Sequence, residues 1–365
     1  MILQLEIGGE VLGIKAKPIT DKLLSIGERI DLIPDTEVSK SVLSLRFAEA
    51  RLHEPRVDIL WSQRLKAIQS QTISGIIGVD ENELLHLPVV GIEIEATDPT
   101  TKTLETDIAN LASLGPPLGL VVIDTKEAPD MYLRASRIIR SMRYMYGNLV
   151  VLPVDNQWLP QIEKALARRS PAIVIPREEA RKGTGKESAW TKRQKKVLRR
   201  LGEDAGFAVR VEWTPPSVQR AFEIFNAYST PEGKLYTSTR KGSSERKSIN
   251  KAGDYFTSSR LDVVWLLKLP NKLRLFLECL CERDPDLIRF LHLFPDDWGY
   301  IPLVGFELES SGGKHAGGAL LNLAAHTIIG VCVVPDETIE SLMQNKLNTY
   351  RPTLGLRNVY VRCRP

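Results

Sequence analysis

The sequence predicts an α/β protein made of two tandem domains, and three observations support this prediction. The chain has 365 residues, which is more than one domain of ordinary size needs. Hydrophobic residues make up 43% of the chain and charged residues 26%, a balance that suits sizeable buried cores. Similar sequence blocks recur in the same order in both halves, and each half alternates short apolar strands with amphipathic helices.

The internal repeat is clearest around two acidic strands. Residues 56–61 (RVDILW) match residues 260–265 (RLDVVW), and residues 88–97 (PVVGIEIEAT) match residues 302–311 (PLVGFELESS). Other matches lie on either side: 110–113 (NLAS) with 322–325 (NLAA), 119–124 (GLVVID) with 330–336 (GVCVVPD), and more faintly 24–28 (LSIGE) with 200–203 (RLGE). Because the blocks keep their order, we interpret the two halves as diverged copies of one domain.

The predicted elements of the first copy begin with a helix near residues 21–28. They continue as a strand at 57–61, an alternating strand at 89–95, a helix at 103–114, a strand at 118–123, a helix near 130–146 and a strand at 149–152. One more helix and a strand at 172–175 are expected before residue 188. A helix between two apolar strands favours a right-handed crossover and a partly parallel sheet.

The second copy follows the same plan, beginning with a helix at 190–203 whose apolar stripe is Val197, Leu198 and Leu201. Strands at 209–213, 260–269, 304–309 and 328–334 and helices at 319–326 and 336–345 complete it. Residues 181–188 (RKGTGKES) have the composition of a linker. We therefore predict a first domain at residues 1–180 and a second at 181–365, with a long loop at 229–259.

Each alternating strand carries two carboxylates that share one face. Glu307 and Glu309 are two positions apart, and Asp262 begins the preceding strand of the repeat. Carboxylates that converge repel one another unless a divalent cation lies among them, and Mg²⁺ suits such oxygen ligands. The first copy repeats the pattern with Asp58, Glu93 and Glu95. The alternative is an exposed strand face that happens to carry two glutamates.

This pattern resembles the PD-(D/E)xK nuclease superfamily, whose restriction-endonuclease-like fold has an αβββαβ core. The resemblance is close only around the acidic strands and covers the rest of both halves as an order of elements. It implies two tandem restriction-endonuclease-like αβββαβ domains with mixed central sheets. It also implies that Asp262 and Glu307 bind Mg²⁺ or Mn²⁺ in one copy, and that Asp58 and Glu93 do so in the other.

The chain departs from the family pattern in two respects. Glu309 and Glu95 stand where the family usually has a lysine that orients water or stabilises charge. Lys314 and Lys102 lie just downstream and are the candidates for a relocated positive charge. The interval from Asp to Glu is 93 − 58 = 35 residues in one copy and 307 − 262 = 45 in the other, so insertions are expected. Two glutamates on the preceding helices are weaker candidates for an additional ligand: Glu28 and Glu203.

Clusters of basic residues favour contact with a nucleic-acid backbone, although a solvated helix face is the alternative. They are Lys192, Arg193, Lys195, Lys196, Arg199 and Arg200 on the helix at 190–203, and Arg240, Lys241, Arg246, Lys247 and Lys251 in the long loop. The formal net charge of +4 is too small to decide between the two interpretations.

Other classes of site fit less well. Residues 311–314 (SGGK) follow a strand as a phosphate-binding loop does, but Leu308 stands where its first glycine belongs. The four cysteines lack the spacing of zinc ligands, which predicts free thiols. No apolar run is long enough to span a membrane, so we expect a cytoplasmic protein. Trp61 and Trp265 lie beside apolar strands and are predicted to be core residues.

Three hypotheses about function remain open at this point. The resemblance implies a metal-dependent DNA endonuclease that hydrolyses phosphodiester bonds, with restriction and defence enzymes as candidate types and double-stranded DNA as the partner. Its two copies would act as a pseudo-dimer within a monomer, or the chain would form a homodimer. The second hypothesis is a non-catalytic nucleic-acid-binding protein on the same fold. The third is an unrelated α/β protein, such as an assembly factor.

Overall fold

The computed structural model describes residues 16–38, 56–97, 101–114, 117–142, 150–168, 187–214, 260–283, 299–311, 316–354 and 358–363. The chain is an α/β protein in which these residues form two five-stranded mixed sheets. Among the described helices, none is both long and apolar enough to cross a membrane.

The first sheet has the strand order β1-β2-β3-β4-β5. Its strands are β1 (Ile33–Val38), β2 (Val57–Arg64), β3 (His86–Glu95), β4 (Leu118–Ile123) and β5 (Val150–Asp155). The helices of this part of the chain are α1 (Lys17–Arg29), α2 (Ala67–Ile77), α3 (Thr101–Leu114), α4 (Met131–Met142) and α5 (Leu159–Leu166). Strands β1, β2 and β3 pair antiparallel, whereas β3, β4 and β5 pair parallel.

The second sheet has the order β10-β9-β8-β7-β6 and the same pairing pattern. Its strands are β6 (Ala208–Trp213), β7 (Leu261–Lys268), β8 (Tyr300–Leu308), β9 (Ile329–Val333) and β10 (Val359–Arg362). The helices are α6 (Ala189–Asp204), α7 (Asn271–Arg283), α8 (Ala316–His326) and α9 (Glu337–Leu354). Strands β6, β7 and β8 are antiparallel, and β8, β9 and β10 are parallel.

The two sheets share their connectivity and also their register. Ile59 pairs with Ile92 in the first sheet, as Val263 pairs with Phe306 in the second. Both pairings then shift directly after an equivalent tryptophan, between Trp61 and Ser62 and between Trp265 and Leu266. The predicted α/β class with mixed sheets is confirmed, and the shared irregularity supports the inferred duplication.

The sequence predicted the central elements more closely than the outer ones. The strand at 118–123 has the predicted bounds, and the helix predicted at 103–114 begins two residues earlier, at Thr101. Four elements were not predicted: β1, β10, α2 and α7. The strand predicted at 172–175, most of the linker at 181–188 and the long loop at 229–259 lie outside the described residues.

The chain divides into two compact units, and neither unit is continuous in sequence. Unit 1 consists of Met1–Arg64, His86–Ala172 and Pro270–Leu287; unit 2 consists of Leu65–Leu85, Ile173–Leu269 and Ile288–Pro365. Helix α2 therefore belongs to unit 2 and helix α7 to unit 1, although each follows the Asp-bearing strand of the other unit. These helices occupy the insertions that the long Asp-to-Glu intervals predicted. The boundary at residue 180 stays a prediction, since it lies outside the described residues.

A buried tryptophan lies at the centre of each core, as the sequence predicted. In unit 1 the ring of Phe276, from α7, meets Trp61 edge-on with ring centroids 5.3 Å apart. In unit 2, Trp265 packs against Phe207 and Phe306 at centroid distances of 5.4 and 4.8 Å. Both tryptophans are fully buried.

The C-terminal end of helix α2 contacts strand β10 of the same unit. Nε of Arg362, in β10, donates a hydrogen bond to the carbonyl oxygen of Ile76 at 3.0 Å, and Nη2 donates to that of Ile77. The helix ends at Gly78, whose φ of 72° is the left-handed conformation that glycine adopts without strain. The last carbonyls of a helix lack intrahelical partners and carry partial negative charge, so a guanidinium group suits this end.

Candidate functional site

The aspartates of β2 and β7 adopt the same arrangement in the two units. Oδ2 of Asp58 accepts a hydrogen bond from the backbone N–H of Ile94 at 2.7 Å. Oδ2 of Asp262 accepts one from the backbone N–H of Leu308 at 2.8 Å. Each aspartate is thereby tied to the strand that carries the glutamates.

The antiparallel register places each aspartate opposite the first glutamate of the neighbouring strand. The residue pairs that follow the two aspartates are Ile59 with Ile92 and Val263 with Phe306. One step back along each pairing, Asp58 lies opposite Glu93 and Asp262 lies opposite Glu307. The expected approach of the aspartate to the first glutamate is therefore present in both units.

In unit 1 the carboxylates form a buried group, which we call the unit 1 cluster: Asp58, Glu93, Glu95 and Asp107. Glu93 is 6% exposed and Glu95 is 8% exposed, so they do not lie on an exposed strand face. Asp107, on α3, is partly buried and shares a hydrogen bond with Glu95. Oε1 of Glu93 has no hydrogen-bond partner among the described residues.

Burial and mutual repulsion raise the pKa values in the unit 1 cluster. Burial raises the pKa of Glu93 well above its usual range, and the charges of Asp58, Asp107 and Glu95 raise it further. Burial and then the hydrogen bond with Asp107 raise the pKa of Glu95 to about 8. Burial also raises the pKa of Asp107. Every charged group that shifts the pKa of Glu93 is another carboxylate, so the cluster favours a proton or a cation.

In unit 2 a lysine lies at the centre of the acidic residues, which we call the unit 2 cluster: Lys195, Glu187, Glu212 and Asp262. Nζ of Lys195, on α6, is 2.9 Å from Oδ1 of Asp262 and also forms ion pairs with Glu187 and Glu212. The lysine side chain is only 9% exposed. One oxygen from each of the three carboxylates lies within 4.8 Å of the others, a spacing that also suits a metal ion.

The second and third acidic positions of unit 2 differ from those of unit 1. Burial and the charge of Asp262 raise the pKa of Glu307, while a hydrogen bond with Asn322, on α8, and the charge of Lys195 lower it. Oε1 of Glu309 accepts hydrogen bonds from the backbone N–H and the hydroxyl of Ser311, at 3.1 and 2.9 Å. Glu309 thus closes the turn after β8, whereas Glu95 is buried with Asp107.

The side chains of the two candidate lysines are not described, whereas those of the two additional glutamates are. Lys314 lies outside the described residues, and Lys102 is in the first turn of α3, where its side chain is not described. Glu28 is exposed, and Glu203 is exposed and paired with Arg199 at 2.8 Å. Glu203 lies eight residues beyond Lys195 on the helix, or about 12 Å along its axis. The suggestion that it provides an additional ligand is wrong.

Helix α6 is not basic on every side. Lys195 is buried, so its assignment to a phosphate-binding face is wrong; Lys192, Arg193 and Lys196 are exposed. The buried stripe is Lys195, Leu198 and Gly202, whereas Val197 is 40% exposed. These residues are spaced i, i+3 and i+7, as on one face of a helix. This spacing is the sequence signal that indicates the burial of Lys195.

Two further acidic residues stand at equivalent positions in the edge strands. Val38 pairs with Val57, and Trp213 pairs with Leu261 at the matching step of the second sheet. Glu37 and Glu212, one residue earlier, therefore occupy the same strand position. Oε2 of Glu212 also lies 2.6 Å from Nη2 of Arg260. Neither glutamate was predicted, because the repeated sequence blocks do not include β1 and β6.

Comparisons with family models, curated proteins and solved structures find no match to this chain. Any functional assignment therefore depends on the residues of the two clusters. The units share their fold, the bond from the aspartate to the next strand and an acidic edge-strand position. They differ in the charge that faces the carboxylates.

Proposed function

We propose that this protein is a Mg²⁺-dependent nuclease and that the unit 1 cluster is its metal site. The observation that carries the proposal is Oε1 of Glu93, which is buried and lacks a hydrogen-bond partner among the described residues. A backbone hydrogen bond with Asp58 also acts on this carboxylate, but a buried oxygen without a partner of its own is costly unless the group binds a proton or a cation. Because the neighbouring charges are carboxylates, a divalent cation is the group that best stabilises this arrangement.

The chemistry of the donors fits a hard cation. Asp58, Glu93, Glu95 and Asp107 offer carboxylate oxygens, which Mg²⁺ and Mn²⁺ prefer to nitrogen or sulfur ligands. A bound ion of this kind polarises a phosphodiester and lowers the pKa of a water molecule. The hydrogen bond from Ile94 to Asp58 fixes one ligand, and the burial of Glu93 excludes bulk water from the site.

The order of elements also supports the proposal. Both units contain the helix, three strands, helix and strand that the PD-(D/E)xK resemblance implies. The helix position equivalent to Lys195 in unit 1 is Thr20, since these residues lie seven positions before Gly202 and Gly27. Oγ1 of Thr20 donates to the carbonyl oxygen of Ala16 at 3.0 Å, so this position supplies no positive charge. Lys102 remains the candidate for that role.

A nucleic-acid substrate accounts for the exposed basic residues of α6. Lys192, Arg193 and Lys196 are exposed, and such residues bind phosphates without sequence preference. Arg199 and Arg200 form ion pairs with Glu203 and Asp204 within the same helix, so they are less available. We propose double-stranded DNA as the substrate, and we expect binding to weaken as the salt concentration rises.

The test is cleavage of supercoiled plasmid by the purified full chain with Mg²⁺ or Mn²⁺. Glu93→Gln preserves the shape of the side chain but removes its charge, and we expect it to lower the rate by about 10- to 100-fold or more. Glu105→Gln is the matched control, because Glu105 is an exposed glutamate on α3. Equal loss in both variants, or cleavage that is independent of Glu93, would contradict the proposed site.

A non-catalytic nucleic-acid-binding protein is the second candidate function. The observation that favours it is Lys195, which supplies a positive charge to the three carboxylates of the unit 2 cluster. This function predicts salt-sensitive DNA binding with no cleavage of DNA or RNA in any divalent metal. Binding that survives Glu93→Gln but weakens in Lys192→Ala, without detectable cleavage by the parent, would favour it.

A further inference from the structure

The unit 2 cluster already contains a cation. We infer that Lys195 replaces the divalent ion in unit 2, so that the protein binds metal in unit 1 alone. This inference rests on the proposed metal site of unit 1. It adds the stoichiometry of metal binding and a functional difference between the copies.

The number and kind of groups around Lys195 match a lysine ammonium. Nζ carries three N–H donors, and three carboxylates, from Glu187, Glu212 and Asp262, lie within ion-pair distance of it. The second oxygen of Glu212 faces Arg260, and that of Asp262 accepts the backbone N–H of Leu308. Asp262 is therefore satisfied by groups of the chain itself, whereas Oε2 of Glu212 lies within ion-pair distance of Arg260 but forms no hydrogen bond among the described residues.

A metal ion entering this cluster would compete with the ammonium. The oxygens within 4.8 Å of one another are those that would ligate the ion, and they are also the partners of Lys195. Displacing the lysine would leave a largely buried ammonium without its acceptors, which is strongly unfavourable. The unit 2 cluster therefore excludes Mg²⁺ and Mn²⁺ at ordinary concentrations.

Unit 1 retains the acidic positions but not the lysine. Asp58 and Asp262 are equivalent, as are Glu37 and Glu212, whereas Thr20 replaces Lys195. Thr20 bonds within its own helix, and Oε1 of Glu93 is left without a hydrogen-bond partner among the described residues. The same arrangement of strands therefore needs an added cation in unit 1, whereas Lys195 provides the cation in unit 2. One metal site per chain would cut one strand per binding event.

The experiment is a titration of the metal-free full chain with Mn²⁺, in which free Mn²⁺ is followed by electron paramagnetic resonance. We expect one equivalent to bind, to be lost in Glu93→Gln and to be retained in Asp262→Asn. Lys195→Met removes the charge with little change of length, and we expect it to bind a second equivalent. Adding Glu212→Gln to that variant should remove the second equivalent. Plasmid cleaved by the parent chain should accumulate as nicked circles.

Other results of the titration would contradict the inference. No binding of Mn²⁺ by the parent chain would overturn both the inference and the proposed metal site. Two equivalents in the parent, or one equivalent that is lost in Asp262→Asn but not in Glu93→Gln, would overturn the inference while leaving a metal site in unit 2. A folded Lys195→Met that still binds one equivalent would also overturn it. Should that variant fail to fold by circular dichroism, the comparison of Glu93→Gln with Asp262→Asn in the parent background decides.

Discussion

Glu93 and Glu307 stand at the same strand position, yet their electrostatic surroundings differ. Neighbouring carboxylates raise the pKa of Glu93 and, through Asp262, that of Glu307, but a hydrogen bond with Asn322 and the charge of Lys195 partly offset the increase at Glu307. Burial raises the pKa of both. The positive charge of Lys195, absent at Thr20, is therefore one of the differences between two acidic sites that the fold otherwise repeats.

The raised pKa of Glu95 predicts a pH-dependent stability of the metal-free protein. Its pKa rises from 4.5 to about 8 on folding, so between these values the folded state binds the additional proton. Stability should therefore fall as the pH rises through this interval, by about 1.4 kcal/mol per pH unit. His326 acts in the opposite direction at lower pH, because burial lowers its pKa from 6.5 to about 4. The clearest interval is therefore from pH 6.5 to 8.

Urea unfolding of the metal-free parent and of Glu95→Gln, across that interval, measures this effect. The glutamine cannot ionise, so we expect the variant to show a weaker pH dependence and to be the more stable protein at pH 8. The same slope in both proteins would show that Glu95 does not titrate there.

The sequence predicted the acidic residues of the site better than it predicted the lysine. Asp58 and Glu93 were predicted because the repeat marks them twice and because strand geometry has a simple period. The burial of Lys195 was not predicted, because Lys195 is one of several basic residues on the 16-residue helix α6. Only its helical spacing from Leu198 and Gly202 distinguishes it.

At the scale of elements, the first helix of each unit packs on its tryptophan through a glycine. A Cβ at Gly27 would lie 2.7 Å from Nε1 of Trp61, and one at Gly202 would lie 2.7 Å from Cγ2 of Val209 and closer still to Trp265. Nε1 of Trp265 donates to the carbonyl oxygen of Leu198 at 3.0 Å in the same interface. The close approach explains why both copies of the faint LSIGE and RLGE match keep the glycine.

Gly202→Ala should destabilise the protein by about 1–3 kcal/mol, because the methyl group overpacks the interface between α6 and β7. Gly318→Ala on α8 is the control, since a Cβ there meets nothing within 4 Å. We expect this control to be neutral or to stabilise by about 0.5–1 kcal/mol through helix propensity. Thermal unfolding compares the two. A Gly202→Ala protein as stable as its control would show that the interface yields without cost.

The elements that escaped prediction did so for physical reasons. Strand β1 lies at the edge of its sheet, and Ile33 and Asp35 are both exposed, so its sequence lacks a clear alternation. Strand β10 has only four residues. Helices α2 and α7 lie within the long Asp-to-Glu intervals. A comparison of the two copies identifies these intervals only as insertions. Central strands such as β4, buried along their whole length, have a much stronger signal.

At the scale of the whole molecule, each compact unit contains a helix from the other half of the sequence. Residues 1–180 contain Trp61 but not Phe276, which packs against it. Residues 181–365 contain Arg362 but not Ile76 and Ile77, whose carbonyl oxygens it binds. A division in the middle of the sequence therefore removes part of both cores.

We accordingly expect residues 1–180 and 181–365, expressed separately, to lack the near-ultraviolet circular dichroism of packed tryptophans. Co-expression should restore that signal in a complex that elutes with the full chain from a sizing column. Two halves that each unfold cooperatively on their own would contradict this expectation and would make the exchanged helices dispensable.

The exchanged helices also bear on how this chain evolved. A single-copy ancestor that traded the same helix between two identical subunits would have been a domain-swapped homodimer, and fusion of its genes would leave the connectivity seen here. Such a fusion would leave the two copies free to diverge, and a lysine in one copy but not the other is a difference that a homodimer cannot have. In an alignment of relatives, residues of α2 should consequently covary with β10 of the opposite half, and residues of α7 with α5.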